Sequence, residues 1–290
     1  MNERAGFSTQ RKNLLDQYAR AGQPIICRTI PYQSTGVFQF DVVDSALGTA
    51  PGVAYAVARK NQQVTLFSYG VGDQINLGGT GNTRATEADT NQGEGSRTNG
   101  AQDFVIEGVG FYAKSMRVAY AAGTGNLYAG TGKPADADVL ASLAGDVAVY
   151  DPAAINMPPQ GQSPFNLENG MFQAILDSIS VDFLFDRKRT EKIGTVNVMP
   201  CASAKSYLRA NGAPENSNMY RIPEGYLWRR AGQPDSEFTA NLTLQRALVV
   251  PINGIIPYVV GSAADAVPTT IWLEVSMRLF GLAVDMPSAN

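Results

Sequence analysis

The stretch Phe238-Thr-Ala-Asn-Leu-Thr-Leu-Gln-Arg-Ala-Leu-Val-Val250 decides the fold. Phe238, Ala240, Leu242, Leu244, Leu248 and Val250 fall on one face, and Thr239, Asn241, Thr243 and Gln245 on the other. Successive side chains of a strand point to opposite faces, so this period of two marks a half-buried β-strand. Arg246 interrupts the inner row, which predicts a bend or a sheet rim at that point.

The same pattern recurs on both sides of this run. Ile271, Leu273, Val275, Met277 and Leu279 alternate with Trp272, Glu274, Ser276, Arg278 and Phe280, and Val181, Phe183 and Phe185 begin a third case. Weaker strand signals cover Ile25–Ile30, Val37–Val43, Val53–Arg59, Val64–Tyr69, Phe104–Phe111, Met116–Ala121 and Ile193–Val198. Helical patterns are few. In the N-terminal arm Ser8 is placed as N-cap, with Leu14, Leu15 and Tyr18 on one face and Gly22 and Pro24 as stop signals. Asp136–Leu143 and Ser203–Ala210 are the others. Many short strands, 29 glycines and 16 prolines predict an all-β, antiparallel β-sandwich or jelly roll rather than a parallel βαβ sheet.

Three tracts read as loops: Gly70–Gly100, Ala121–Pro134 and Asp151–Pro164. A thirty-residue loop needs a reason in a compact domain. Either it clasps a neighbouring subunit, or it is a surface loop without a role. The Pro158–Pro164 stretch is the best boundary, giving an N-terminal arm (1–23), a first β-sandwich (24–160) and a second (161–290). One large sandwich with insertions is the alternative. The arm helix docks either on a neighbour or on its own domain.

Composition narrows the function. Of the 290 residues 44% are hydrophobic, enough for a core, but only 17% are charged, against about 25% in an ordinary soluble domain. A surface short of charge is either neutral-polar or covered by neighbours. The net charge of −3 and the absence of a basic arm disfavour extensive direct nucleic-acid binding. The strongest basic run, Arg187-Lys188-Arg189, is flanked by Asp186 and Glu191 and reads as a solvated turn or strand end. Cys27 and Cys201 both lie in apolar surroundings and read as buried free thiols. The N-terminus lacks a signal-peptide pattern, and Pro251, Gly254 and Pro257 interrupt the most apolar stretch, predicting a soluble product made in a cytosol.

The chain contains no histidine, which removes Ser-His-Asp and Cys-His nucleophilic sets, imidazole bases and His-based metal sites. Gly123–Lys133 imitates a phosphate loop, but Leu127 and Pro134 stand where Gly and Ser or Thr are needed. Asp89-Thr-Asn91-Gln-Gly93 imitates a calcium loop with its glycine one place early and Gly100 where a glutamate belongs. Asp177 and Asp182 are a nominal carboxylate pair whose spacing puts them on opposite faces of a strand. No enzymatic activity, cofactor or metal is expected. The remaining candidate is an aromatic-basic cluster, Tyr220, Arg221, Tyr226, Trp228, Arg229 and Arg230, around Pro223 and Gly225. It suits a subunit interface, a sugar- or base-stacking site, or a loop packed on its own sandwich.

Gly100–Phe111, Ile175–Phe185 and the closing Ile271–Val284 region together resemble major capsid proteins of tailless, jelly-roll bacteriophages. The likeness is one of layout and carries no residue-level roles. It implies a double jelly-roll subunit that forms homotrimers tiling an icosahedral shell in a virion, with other virion proteins and in some cases an internal membrane as partners. The function expected is therefore a self-assembling structural subunit of a viral capsid. The alternative is a glycan- or receptor-binding β-sandwich module of a virion spike or fibre.

Overall fold

The computed structural model describes residues 8–20, 26–29, 31–43, 55–77, 83–100, 102–122, 147–149, 171–172, 174–193, 220–251 and 266–285. Its elements are α1 (Thr9–Arg20), β1 (Ile26–Arg28), β2 (Tyr32–Val43), β3 (Tyr55–Ala58), β4 (Gln63–Leu66), β5 (Gln74–Ile75), β6 (Thr83–Arg84) and β7 (Gln102–Ala122). There follow β8 (Val147–Val149), β9 (Ile179–Phe185), β10 (Lys188–Ile193), β11 (Tyr220–Trp228), β12 (Phe238–Leu244), β13 (Ala247–Pro251) and β14 (Ala266–Asp285). The chain is mostly β, and among the described residues its sheets are antiparallel apart from one parallel pair, β8 with β13.

The larger sheet runs β11-β7-β14-β2-β3-β13-β8, with β1 on the end of β14, and the second runs β10-β9-β12-β4. Strict alternation of buried and half-buried residues on β12, and of buried and exposed ones on β4, turns one face of the second sheet inward. Phe38, Phe40, Ile271, Leu273, Val275, Phe183, Phe238 and Leu242 then share one core contributed by both sheets. The result is sandwich-like, as opposed inner faces of alternating strands require. β4 pairs with β12, and β2 and β7 with β14, so strands on either side of the Pro158–Pro164 stretch share the sheets.

The Phe238–Val250 run is two strands. β12 belongs to the second sheet and β13 to the larger one, and the chain crosses between them at Gln245-Arg246. Arg246 is exposed at that corner, so the break in the apolar row marks a change of sheet rather than a rim.

β7 is also longer than its signals. Phe104–Phe111 and Met116–Ala121 are one 21-residue strand. Against β14 the register slips three times: Phe280 and Gly281 pair with Gly108 and Ile106, Glu274 and Val275 with Ser115 and Ala113, and a third slip between Pro268 and Thr270 leaves its extra residue on β14. On β7, Glu107 and Lys114 are the extra residues, each a β-bulge that switches which parity faces the core. Phe104 and Ile106 point inward before the first slip, and Val109 and Phe111 after it.

α1 forms as its cap predicts, with Ser8 Oγ accepting from Arg11 N (3.2 Å). Leu14 and Tyr18 pack on Val105, Leu282 and Val284, on the face of the large sheet away from the core. The helix therefore docks on its own domain. Arg187 and Lys188 sit at the β9–β10 turn, as their charge suggested. Cys27 is exposed, not buried, because β1 is a three-residue strand at the sheet margin with all three residues uncovered. The helices expected at Asp136–Leu143 and Ser203–Ala210, Cys201, and the 123–134 and 151–164 tracts lie outside the described residues. Residues 171–172 and 174–178, which gave no helical signal, are helical and lead directly into β9.

Candidate functional site

The aromatic-basic cluster occupies β11 and the turn after it. β11 pairs with β7, but its register jumps from Arg221 opposite Gly108 to Tyr226 opposite Ile106. The bulged segment between carries Gly225 at φ +74, where an added Cβ would lie 2.8 Å from Ser8 Oγ. Glycine there provides a backbone shape that other residues rarely adopt and leaves room for the helix cap.

The structure divides the cluster rather than gathering it. Trp228 is fully buried, with ring centres 5.0 Å from Tyr32 and 5.2 Å from Phe238, and its Nε1 donates to Ser236 O (3.1 Å). Tyr226 lies edge-on to Phe183 at 6.0 Å, and Tyr220 packs at the core margin. Arg221 is exposed on the strand. The backbone N–H of Arg229 bonds to Asp235 O (3.0 Å), and that of Arg230 to Asp103 Oδ1 (2.9 Å). The aromatics thus belong to the core, and the two following arginines begin a tight turn.

Beside that turn lies an open cleft of about 720 Å³, between Ala231 and the 87–100 segment, with Val71, Glu87, Gln92, Glu94 and Arg97 on its walls. Arg97 pairs with Glu94 (3.0 Å). Gln92 is buried, and its Nε2 donates to Arg97 O (3.0 Å). Two carboxylates, Glu87 and Glu94, stand against one guanidinium, Arg97, so the cleft is slightly acidic and unsuited to phosphate, while its polar side chains can meet hydroxyl-bearing groups.

The other candidate groups have structural occupations. The Asp89 carboxylate accepts from Thr86 N (2.9 Å), Thr86 Oγ1 (2.8 Å) and Lys114 Nζ (2.5 Å). Burial opposes its charge, yet these donors together hold its pKa below the usual carboxylate range. Asn91 Oδ1 accepts from Gln33 N (2.8 Å) and Nδ2 donates to Pro31 O (2.7 Å), so the calcium-like loop spends its oxygens on the sheet. Among the described residues no group of three or more Asp, Glu or Cys side chains is placed to hold a metal. Asp177 lies in the helical residues before β9 and Asp182 within β9, so they do not flank one strand.

Sequence reasoning missed the residues that fasten covering elements to the large sheet. Glu107 Oε1 accepts from Ser8 Oγ (2.8 Å), and its Oε2 from Arg11 (3.2 Å). Asp103 Oδ2 accepts from Tyr18 Oη (2.5 Å). Glu107 and Lys114, the two bulge residues, hold α1 and the 83–100 segment respectively. Glu107, the one charged residue within Phe104–Phe111, was the available signal. Compared with protein-family models, characterised proteins and solved structures, the chain matches none of them.

Proposed function

We propose that this chain is a non-catalytic structural subunit of a bacteriophage capsid, self-assembling into a protein shell. The observation that carries the reading is the use made of its polar and aromatic side chains. Asp103 and Glu107 hold α1, Asp89 ties a long surface segment to β7, Asp186 closes a turn, and Trp228 fills the core. Such a chain invests its chemistry in a stiff, cross-braced sandwich, which is what a shell tile needs. The low share of charged residues, 17%, fits a surface covered by sister copies, since interface cores are depleted in charge.

A jelly-roll arrangement goes with this reading. The pairing of β4 with β12, and of β2 and β7 with β14, supports one sandwich with insertions over two in tandem. Homotrimers within an icosahedral shell, other virion proteins and, in some such shells, an internal membrane are the partners that go with this reading. The test is direct: light scattering and negative-stain microscopy of the purified chain should show trimers or larger closed assemblies. A strict monomer at all accessible concentrations and salts would contradict the proposal.

The cleft beside Ala231 favours a second reading, a glycan-binding module of a virion spike or fibre. Glycan-array binding that disappears in Arg97→Ala, with sedimentation unchanged, would support it.

A further inference from the structure

β2 bonds to β14 along one edge from Tyr32 to Asp41, whereas β3 joins its other edge only at Asp41–Val43. In an antiparallel strand, alternate residues direct both main-chain groups to the same edge. Left bare, that second edge would be a template for another strand. Side chains of this same chain, and one main-chain bridge, meet it at several positions instead. Asn91 Oδ1 accepts from Gln33 N (2.8 Å), and beside it Thr90 and Ser34 form an isolated antiparallel bridge. The Tyr69 hydroxyl accepts from Thr35 N (3.2 Å) and donates to Thr35 O (2.5 Å). The Gln62 amide, oriented by its hydrogen bonds, accepts from Gln39 N (2.9 Å) and donates to Gln39 O (3.3 Å). Gln33, Thr35 and Gln39 share one parity, so these side chains stand where the peptides of a neighbouring strand would.

The guarded sequence explains the need. Tyr32-Gln-Ser-Thr-Gly-Val-Phe-Gln-Phe40 has no charge and no proline, and it is rich in β-formers. It lacks the lysines, prolines and inward charges that usually protect an edge, and it has the composition of a self-pairing segment. The guarding segment is itself fastened to β7, through Asp89 to Lys114 and through the bond from Arg117 to Leu77 O.

We infer that Tyr69 and Asn91 form an edge guard that keeps β2 from pairing with β2 of a second copy of this chain. The guard is a device of the single chain and does not depend on the capsid reading. Its partner is identical because the exposed edge would be self-complementary, and an uncharged segment meets no repulsion from its own copy.

The experiment uses the full chain carrying Tyr69→Phe and Asn91→Ala together. Residue-resolved hydrogen exchange should show the Gln33 and Thr35 amides exchanging about fivefold faster, the factor corresponding to loss of one ordinary hydrogen bond. Exchange at Leu273 and Met277, in the interior of β14, should stay as in the wild type. Sedimentation velocity should reveal an added, larger species at concentrations where the wild-type distribution does not change. Gln33→Lys, which places a charge on the opened edge, should remove that species from the double variant. Leu242→Ala, which weakens the core without removing a hydrogen bond to the β2 edge, should not produce it. Unchanged exchange at Gln33 and Thr35 would overturn the inference. So would faster exchange with a wild-type sedimentation profile, or equal association by Leu242→Ala.

Discussion

The hydroxyl of Tyr69 bonds to both main-chain groups of Thr35, at 3.2 Å to its N–H and 2.5 Å to its C=O. One side-chain atom thereby satisfies a donor and an acceptor that a strand edge would otherwise leave to water or to another chain. Tyr69→Phe removes that atom and keeps the ring. Leaving two partly buried groups unpaired should cost about 1–3 kcal/mol. Urea denaturation should show a lower midpoint with an unchanged slope, since the packed surface is the same.

Tyr69 also belongs to a group with a common alkaline response. Tyr18, Tyr32 and Tyr69 are each raised from 10.0 to about 12, in every case chiefly by burial, with the Asp103 carboxylate adding to the effect at Tyr18. A phenol whose folded pKa exceeds its unfolded one stabilises the fold fully below the unfolded value. The contribution is lost as pH rises from 10.0 toward about 12, where the unfolded chain ionises first. Stability measured by urea titration should therefore decline over that window. Tyr69→Phe should decline less steeply than the wild type.

At the acid end the sign is opposite. Asp186 and Arg187 form the β9–β10 turn with positive φ of 47° and 63°, a conformation that side-chain-bearing residues adopt reluctantly. The Asp186 carboxylate accepts from Glu237 N (3.0 Å) and Asp235 N (2.7 Å) and so braces the turn. The Glu237 N–H is the largest influence holding its pKa below the usual 3.8, followed among the lowering influences by the N–H groups of Asp235 and Ser236 and the charge of Lys188. The stabilisation is thus present above the unfolded pKa and disappears as pH falls through the depressed folded value. Asp186→Asn should cost about 1 kcal/mol at neutral pH, a figure reduced for solvent exposure, and should flatten the acid limb of the stability curve.

The strands of the inner layers were legible because one face of each is dry. β9, β12 and β14 follow their period of two closely, and the interrupted row at Arg246 was rightly singled out, though its meaning was a change of sheet. Residues 174–178 hid their helix because Ala174, Ile175, Leu176 and Ser178 are all buried, which erases the polar face that reveals a helical period. Cys27 misled because an apolar neighbourhood in sequence says nothing of a strand's place at a sheet margin. Which of the three readings of Trp228 and Tyr226 applied was hidden for a related reason. Their partners, Tyr32, Phe67, Phe183 and Phe185, are remote in sequence, and no local pattern identifies them.

That burial decides how Trp228 must be probed. Trp228→Ala removes a fully buried indole ringed by Tyr32, Phe67, Phe104 and Phe238, and should destabilise the chain by about 3–5 kcal/mol. Loss of any binding in that variant should coincide with loss of folded structure by circular dichroism. A folded Trp228→Ala chain of wild-type midpoint would show that the indole does not pack as described.

A close approach of the two sheets supplies a test of the sandwich itself. Gly36 on β2 pairs with Val275 and lies where an added Cβ would overlap Val64 Cγ1 and crowd Leu66 Cδ2 (2.8 Å) on β4. Gly36→Ala should therefore overpack the interface and cost about 1–3 kcal/mol. Val64→Ala alone leaves a void and is destabilising for the opposite reason. Because the obstructing atoms are side-chain methyls, the double variant Gly36→Ala/Val64→Ala should recover part of the loss, with a coupling of about 1 kcal/mol. Gly281→Ala provides the contrast. Its Cβ would meet the carbonyl of Val105, a backbone group that no truncation removes. Additive losses in the Gly36/Val64 cycle would mean that β2 and β4 do not face each other across the core.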